Sequence, residues 1–245
     1  MGGLWRLPKG ASGRGVGLFV VVAAVLAVFA VPGLWRPVAL ASSSPVLNWT
    51  QQHPATSPPS RAVASMAYDR ATGTVVLFGG GGRYPLAGTW TWDGSTWTKR
   101  HPATSPPARG GASMAYDAAT RTVVLFGGSG RHGPFAGTWT WDGSTWAKQH
   151  PATSPPARKQ ASMAYDQATG TVVLFGGINS DGLKEYGDTW TWDGSTWAKQ
   201  HPATSPPTRY SASMAYHAAT GTVVLFGGVD SDATGVTEDT WTWGH

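Results

Sequence analysis

Four arginines and four histidines recur at matched places in the chain, as a shared binding centre would require. Arg61, Arg109, Arg158 and Arg209 each stand two residues after a Pro-Pro, and His53, His101, His150 and His201 each open a copy of HPATSPP. A ring of four guanidinium groups could hold an anion, and four neutral imidazoles could hold a metal ion. Carboxylates supply a third chemistry. Asp181 with Glu185 could work as an acid–base pair. Asn179-Ser180-Asp181-Gly182 and Asp230-Ser231-Asp232 carry the hard oxygens that calcium takes. The full EF-hand pattern is not present, however, and nothing in the spacing favours the Asp181–Glu185 pair over a solvated loop. G-x-S-x-G, H-E-x-x-H and Gly-rich phosphate loops do not occur. Cysteine is also missing, which excludes disulfides, thiolate metal sites and a cysteine nucleophile. The expectation is therefore no metal, no cofactor and no catalytic residue.

Charge excludes a second class. The net charge is +5, but four of the 18 basic side chains (Arg6, Lys9, Arg14 and Arg36) sit in the first 41 residues without an acid, leaving 14 against 13 acids. A nearly neutral body gives no electrostatic support for nucleic-acid binding. The same first 41 residues read as a secretory signal: a basic start, an almost wholly apolar Val16–Val31, a turn at Pro32-Gly33 and an A-x-A ending at Ala41. Val16–Trp35 would also nearly span a bilayer, so an uncleaved membrane anchor is the alternative. The chain thus divides into a leader, 1–41, and an exported body, 42–245, that is secreted or held at the outer side of the cytoplasmic membrane. Membrane contact is expected only if the leader stays attached.

The body is a repeat. MAYD or MAYH starts at Met66, Met114, Met163 and Met214, TVVLFGG follows each time, and TWTW follows again, ending at Trp92, Trp141, Trp192 and Trp243. Three units continue into DGSTW, ending at Trp97, Trp146 and Trp197. ASMAY is short and small, TVVLF is β-branched and aromatic, TWTW alternates, and STW makes a fourth short segment; each reads as a strand. Asp93-Gly94, Asp142-Gly143 and Asp193-Gly194 are hairpin signals between the third and fourth strands. Four antiparallel strands per unit describe a blade, and four units describe an all-β propeller.

The paired glycines, the aromatic after the first strand and the late tryptophan resemble the kelch repeat, in particular the bacterial type also found in the central domain of galactose oxidase. The resemblance covers residues 47–245, with the motif four times over. It implies that the four arginines lie near the hub and bond backbone carbonyls of a neighbouring blade. It also raises the oxidase family's copper centre, which uses a tyrosine cross-linked to cysteine. Without cysteine that cofactor cannot form, and outside the linkers only His132, His217 and His245 remain. Kelch propellers mostly bind.

The fourth unit reads Trp243-Gly244-His245 where the others continue DGSTW. Leu47-Asn48-Trp49-Thr50-Gln51-Gln52 precedes the first HPATSPP as STWAKQ precedes later copies, so this N-terminal strand is expected to complete the last blade and close the ring. With two of the 14 tryptophans in the leader, three remain for each of four blades, so they are expected to serve as core. A fragment of a larger ring, or two chains pairing into eight blades, are the other readings.

The copies diverge on one face only. The pairs Ala62-Val63, Gly110-Gly111, Lys159-Gln160 and Tyr210-Ser211 start the innermost strands, and the loops between second and third strands share their face. Loops one and two carry Arg83, Arg131 and His132 without an acid. Loops three and four carry Asp181, Glu185, Asp188, Asp230, Asp232, Glu238 and Asp239 against Lys184. Tyr84, Phe135, Tyr186 and Tyr210 add stacking surfaces. Loops on a rigid scaffold are where binding usually resides. The expected function is a non-catalytic module binding a protein or a glycan through this face. A carbohydrate-active enzyme (lyase, epimerase or oxidase-like) is the alternative.

Overall fold

The computed structural model describes residues 48–244 except 180, 181, 183 and 231–234. The leader reading falls outside these residues. By contacts the chain divides after Trp49, and all strands lie in Thr50–His245. There is no helix among the described residues.

The repeat folds as four antiparallel sheets, the blades of a β-propeller. Blade one is β1 (Ser65–Asp69), β2 (Thr74–Phe78), β3 (Thr89–Trp92) and β4 (Trp97–Arg100) in sequence order. Blade two repeats it with β5 (Gly110–Asp117), β6 (Thr122–Gly130), β8 (Thr138–Trp141) and β9 (Trp146–Lys148), while the short β7 (Gly133–Pro134) folds back on β6. Blade three is β10 (Ser162–Asp166), β11 (Thr171–Phe175), β12 (Thr189–Trp192) and β13 (Trp197–Lys199). Blade four has only β14 (Ser213–His217), β15 (Thr222–Phe226) and β18 (Thr240–Trp243). Its loop carries the two-residue pair β16 (Val229–Asp230) and β17 (Gly235–Val236).

Period-two alternation gives every blade two unlike faces. In blade one Met66 pairs with Leu77, Tyr68 with Val75, Leu77 with Trp90, Val75 with Trp92 and Trp92 with Trp97, so the large side chains share one face. The opposite face shows Ser65, Ala67, Val76, Phe78, Thr89 and Thr91. Each seam lays the large face of one blade on the small face of the blade before it. Val76 and Phe78 pack with Met114, Leu125, Trp141 and Trp146, and Phe126 packs likewise with Leu174, Trp192 and Trp197. The outer tryptophan locks the seam. Trp146 stands edge-on to Phe78 at 5.4 Å and donates its indole N–H to the Thr89 hydroxyl; Trp197 does the same with Phe126 and Thr138. Linker threonines add a hydrogen bond: Thr56, Thr104 and Thr153 donate to the carbonyls of Trp97, Trp146 and Trp197. At the inner strands Ser65, Ser113 and Ser162 donate to the carbonyls of Ala112, Ala161 and Ala212 in the next blade.

The Asp-Gly hairpins form with a longer loop than the two-residue turn the dipeptide advertises. Trp92 pairs directly with Trp97, so the loop is Asp93–Thr96, and the Asp93 carboxylate accepts the N–H groups of Ser95 and Thr96. The fourth strand therefore begins at tryptophan.

The ring closure expected from residues 47–52 is not shown among the described residues. Residues 48–54 carry no strand, Trp49 is fully exposed, and β18 pairs only with β15. Blades one and four share no contact, so three seams exist among the described residues and two sheet faces are left bare. Met66 is 54% exposed where Met114 is 8%, and Phe226 is 52% exposed where Phe78 and Phe126 are 1%.

Candidate functional site

The divergent pairs meet at the hub. Val63, Gly111, Gln160 and Ser211 all adopt left-handed backbone, at φ 49°, 64°, 56° and 58°. They are joined by peptide hydrogen bonds: Gly111 N–H to the Val63 carbonyl, Gln160 N–H to Gly111, and Ser211 N–H to Gln160. Left-handed backbone costs a non-glycine residue about 1–2 kcal/mol, and three of the four positions are not glycine. Strain held by a surrounding scaffold is common where a protein does its work.

Beside this staircase the first three blades enclose a cup of about 410 Å³, within the size range of small-ligand pockets. Its floor is largely bare peptide, from Gly80, Gly81, Gly110, Gly111 and Gly130. Its side chains are Val63, Tyr84, Ser129, Lys159 and Gln160 together with Ala62 and Pro85. Arg131 from the second blade's loop lies over the Tyr84 ring at 4.6 Å, and Arg83 flanks the same ring at 5.6 Å. Tyr84 keeps about half of its surface exposed beside these two cations.

The structure brings Tyr84, Lys159 and Gln160 into the cup and sets Arg83 and Arg131 against Tyr84. His132 is exposed on the neighbouring loop. Phe135 and Tyr186, expected as open stacking surfaces, are half-buried inside the wall. The buried Arg109 guanidinium lies over Phe135 at 4.1 Å and that of Arg158 over Tyr186 at 3.9 Å. Tyr210 bridges Val229 through its backbone, and Asp230 is buried at 4% exposure rather than displayed. Glu185 pairs its backbone with Ile178. Asp181 and Asp232 lie outside the described residues. The linker histidines His53, His101, His150 and His201 are exposed.

The four arginines are wall rather than site. Each donates through its terminal nitrogen to the first glycine carbonyl of its own blade, as Arg109 does to Gly127 at 2.7 Å and Arg158 to Gly176 at 2.9 Å. The neighbour is served by the arginine's backbone instead: the Arg109, Arg158 and Arg209 carbonyls accept the N–H of Gly80, Gly128 and Gly177 in the preceding blade. The expectation of a guanidinium bonded across the seam is corrected accordingly. Burial pulls Arg109 down to about 10, which still leaves it charged at neutral pH.

Two acids of the loops belong to this wall. Asp188 makes a two-pronged ion pair with Arg158, at 2.6 and 3.0 Å, and accepts the Trp190 indole N–H. Asp239 does the same with Arg209 and Trp241. Burial pushes the Asp188 carboxyl up, but the Arg158 hydrogen bonds and charge outweigh it and hold the group below its ordinary value. A depressed carboxylate lends stability that is present above the unfolded value of about 3.9 and fades as pH falls through the folded one. Asp188→Ala should therefore cost roughly 2–3 kcal/mol at pH 7, the low side of a broken buried pair, because Arg109 shows that carbonyls and a ring can house such a cation. In urea unfolding the gap to the unmodified chain should narrow below about pH 4; a gap independent of pH would refute the ionic account.

No protein-family model matches the chain, and no curated protein matches its sequence.

Proposed function

We propose that the chain is an exported kelch-type propeller that acts by binding, with the hub cup as its site and a neutral glycan as the ligand class that suits it best. The observation that carries this reading is the lining of the cup. Every side chain in it comes from positions where the copies differ, and none is a carboxylate or an imidazole. Among the described lining residues Lys159 is the only charged group, with Arg83 and Arg131 beside Tyr84 at the edge. Bare peptide groups, Gln160 and Ser129 offer donors and acceptors for hydroxyls, and the exposed half of Tyr84 offers an aromatic surface to the apolar side of a sugar ring. The basic, apolar and A-x-A segments of residues 1–41 support export, and the double glycines and late tryptophans support the kelch assignment.

The test is isothermal titration of the purified protein with a panel of neutral oligosaccharides, repeated with Tyr84→Ala and Gln160→Ala. Each substitution is expected to weaken binding about tenfold, a change of about 1.4 kcal/mol, with the thermal midpoint unchanged. Equal affinity in both variants, or no binding across the panel, would overturn the glycan reading.

A further inference from the structure

We infer that the edge of the cup carries an anion subsite, in which Arg83 and Arg131, held on the Tyr84 ring, take an oxyanion borne by the ligand: a sulfate, a phosphate ester or a carboxylate. That the bearer is the glycan in the cup rests on the reading above; the ion site itself does not.

The first observation is a contrast among arginines. Arg109 lies over Phe135 and Arg158 over Tyr186, and both are fully occupied. Arg109 donates to the carbonyls of Pro107 and Gly127. Arg158 donates to those of Pro156 and Gly176 and to both oxygens of Asp188. Arg83 and Arg131 repeat the ring contact on Tyr84, but neither makes a hydrogen bond or an ion pair among the described residues. Both are exposed. The donor fork of each is therefore left for solvent or for a ligand.

The second observation is the charge around that ring. Arg83 belongs to the loop of blade one and Arg131 to the loop of blade two, so the seam sets two like charges on one tyrosine. Their guanidinium carbons lie 5.6 and 4.6 Å from the ring centre. They are thus at most about 10 Å apart, close to one screening length at physiological salt. Neither loop, 79–88 or 127–137, contains an acid. Lys159 of blade three lines the same cup, and no carboxylate lines it. Two acids of this face are already committed, Asp188 to Arg158 and Asp239 to Arg209. Cations from three blades gathered without an acid make a positive potential at the cup, and an oxyanion relieves their repulsion.

The ring prepares the pair for this task. An arginine that grips an ion gives up the rotamer freedom of a long side chain. Contact with Tyr84 has already restricted both side chains, so the remaining cost of binding is small. Tyr84 is then a positioning residue, and the guanidiniums touch the ion through paired, charge-assisted N–H donors. Because Tyr84 also lines the cup, an ion held there sits at the cup's edge. The cup takes the neutral body of the ligand and the edge takes one acidic substituent. A neutral glycan still binds, less tightly than one carrying that substituent.

The probe is sodium sulfate, added to the purified protein at ionic strength held constant with sodium chloride. Binding is followed by NMR through the Nε–H signals of isotope-labelled arginine, assigned by their loss in Arg83→Gln and Arg131→Gln. Both side chains are exposed, so neither variant should disturb the fold. The Arg83 and Arg131 signals are expected to move together on one saturating curve, while those of Arg70 and Arg121, equally exposed on other turns, do not. Each glutamine variant should weaken the midpoint about tenfold, the low end for a charged hydrogen bond. Tyr84→Phe should keep the midpoint and Tyr84→Leu should weaken it. A drift without saturation, the same curve at Arg70 and Arg121, or a midpoint indifferent to both glutamine variants overturns the inference. Tyr84→Leu binding as tightly as the unmodified protein overturns the role of the ring. Phosphate and acetate, run in the same way, rank the substituents, and binding of none of the three ions overturns the site. Sulfate binding without any response to neutral oligosaccharides strikes the glycan reading alone; the reverse strikes this inference alone.

Discussion

Gly127→Ala should destabilise the protein by roughly 2–5 kcal/mol, and Gly227→Ala, the same change one hundred residues later, by far less. Both glycines open the double-glycine turn of their blade, at φ +69° and +63°. Left-handed backbone alone costs an alanine about 1–2 kcal/mol. The difference lies in what a methyl group would strike. At Gly127 it would sit 2.4 Å from the Arg158 carbonyl oxygen, a backbone atom of the next blade that also holds the N–H of Gly128. Relief requires the blades to part, and overpacking of this sort costs about 1–3 kcal/mol more. At Gly227, among the described residues, the methyl would meet the Thr237 carbonyl alone, at 3.1 Å. Urea titrations of the two variants decide the matter. Equal losses would mean that backbone conformation, not the seam, selects these glycines.

The second large effect is at the outer tryptophans. Trp197→Ala should cost about 3–5 kcal/mol, the usual toll for emptying a fully packed aromatic site. Trp197 is 1% exposed, touches Phe126 and Trp192 at 5.4 Å each, and gives its indole N–H to the buried Thr138 hydroxyl. Trp146 should behave the same way, because its contacts with Phe78, Trp141 and Thr89 repeat that arrangement. Trp97 is the internal comparison. It keeps its tilted contact with Trp92 at 5.5 Å but is only half-buried, with no blade ahead of it to supply a phenylalanine and a threonine. Its removal should cost less than half as much. Thermal or urea unfolding of the three variants orders them, and a Trp97→Ala loss as large as that of Trp197→Ala would contradict the assignment of this energy to the seam.

The blades were legible in the sequence because their signals are local. TVVLF and TWTW place themselves by β-branching and alternation, and each hairpin is announced by Asp with Gly. The seam partners were not legible, since alternation shows that a strand has two faces and not which face meets which neighbour. The rim suffered most from that gap. Phe135 and Tyr186 looked like free loop aromatics, yet counting three residues back from each TWTW aligns them with Leu86 and Thr237. All four then share a role, each donating its N–H to the second glycine carbonyl of its own blade. The same count places Asp188 and Asp239 one residue before TWTW, opposite glycine in the first two blades, which separates these two acids from the other loop charges. Closure by the strand around Trp49 was read from the repeat alignment alone, and the structure does not show it.

The hub staircase has a consequence for how such a protein can change. Val63, Gly111, Gln160 and Ser211 are held by peptide groups alone, each step bonded backbone to backbone. The fold therefore asks only that a residue tolerate left-handed geometry there, and it is indifferent to the side chain. Four steps around one axis behave like four letters of a short word that can be respelled without reprinting the page. Substituting them alters what the axis displays while every seam, tryptophan and arginine stays in place, so new recognition can be acquired at little cost to folding.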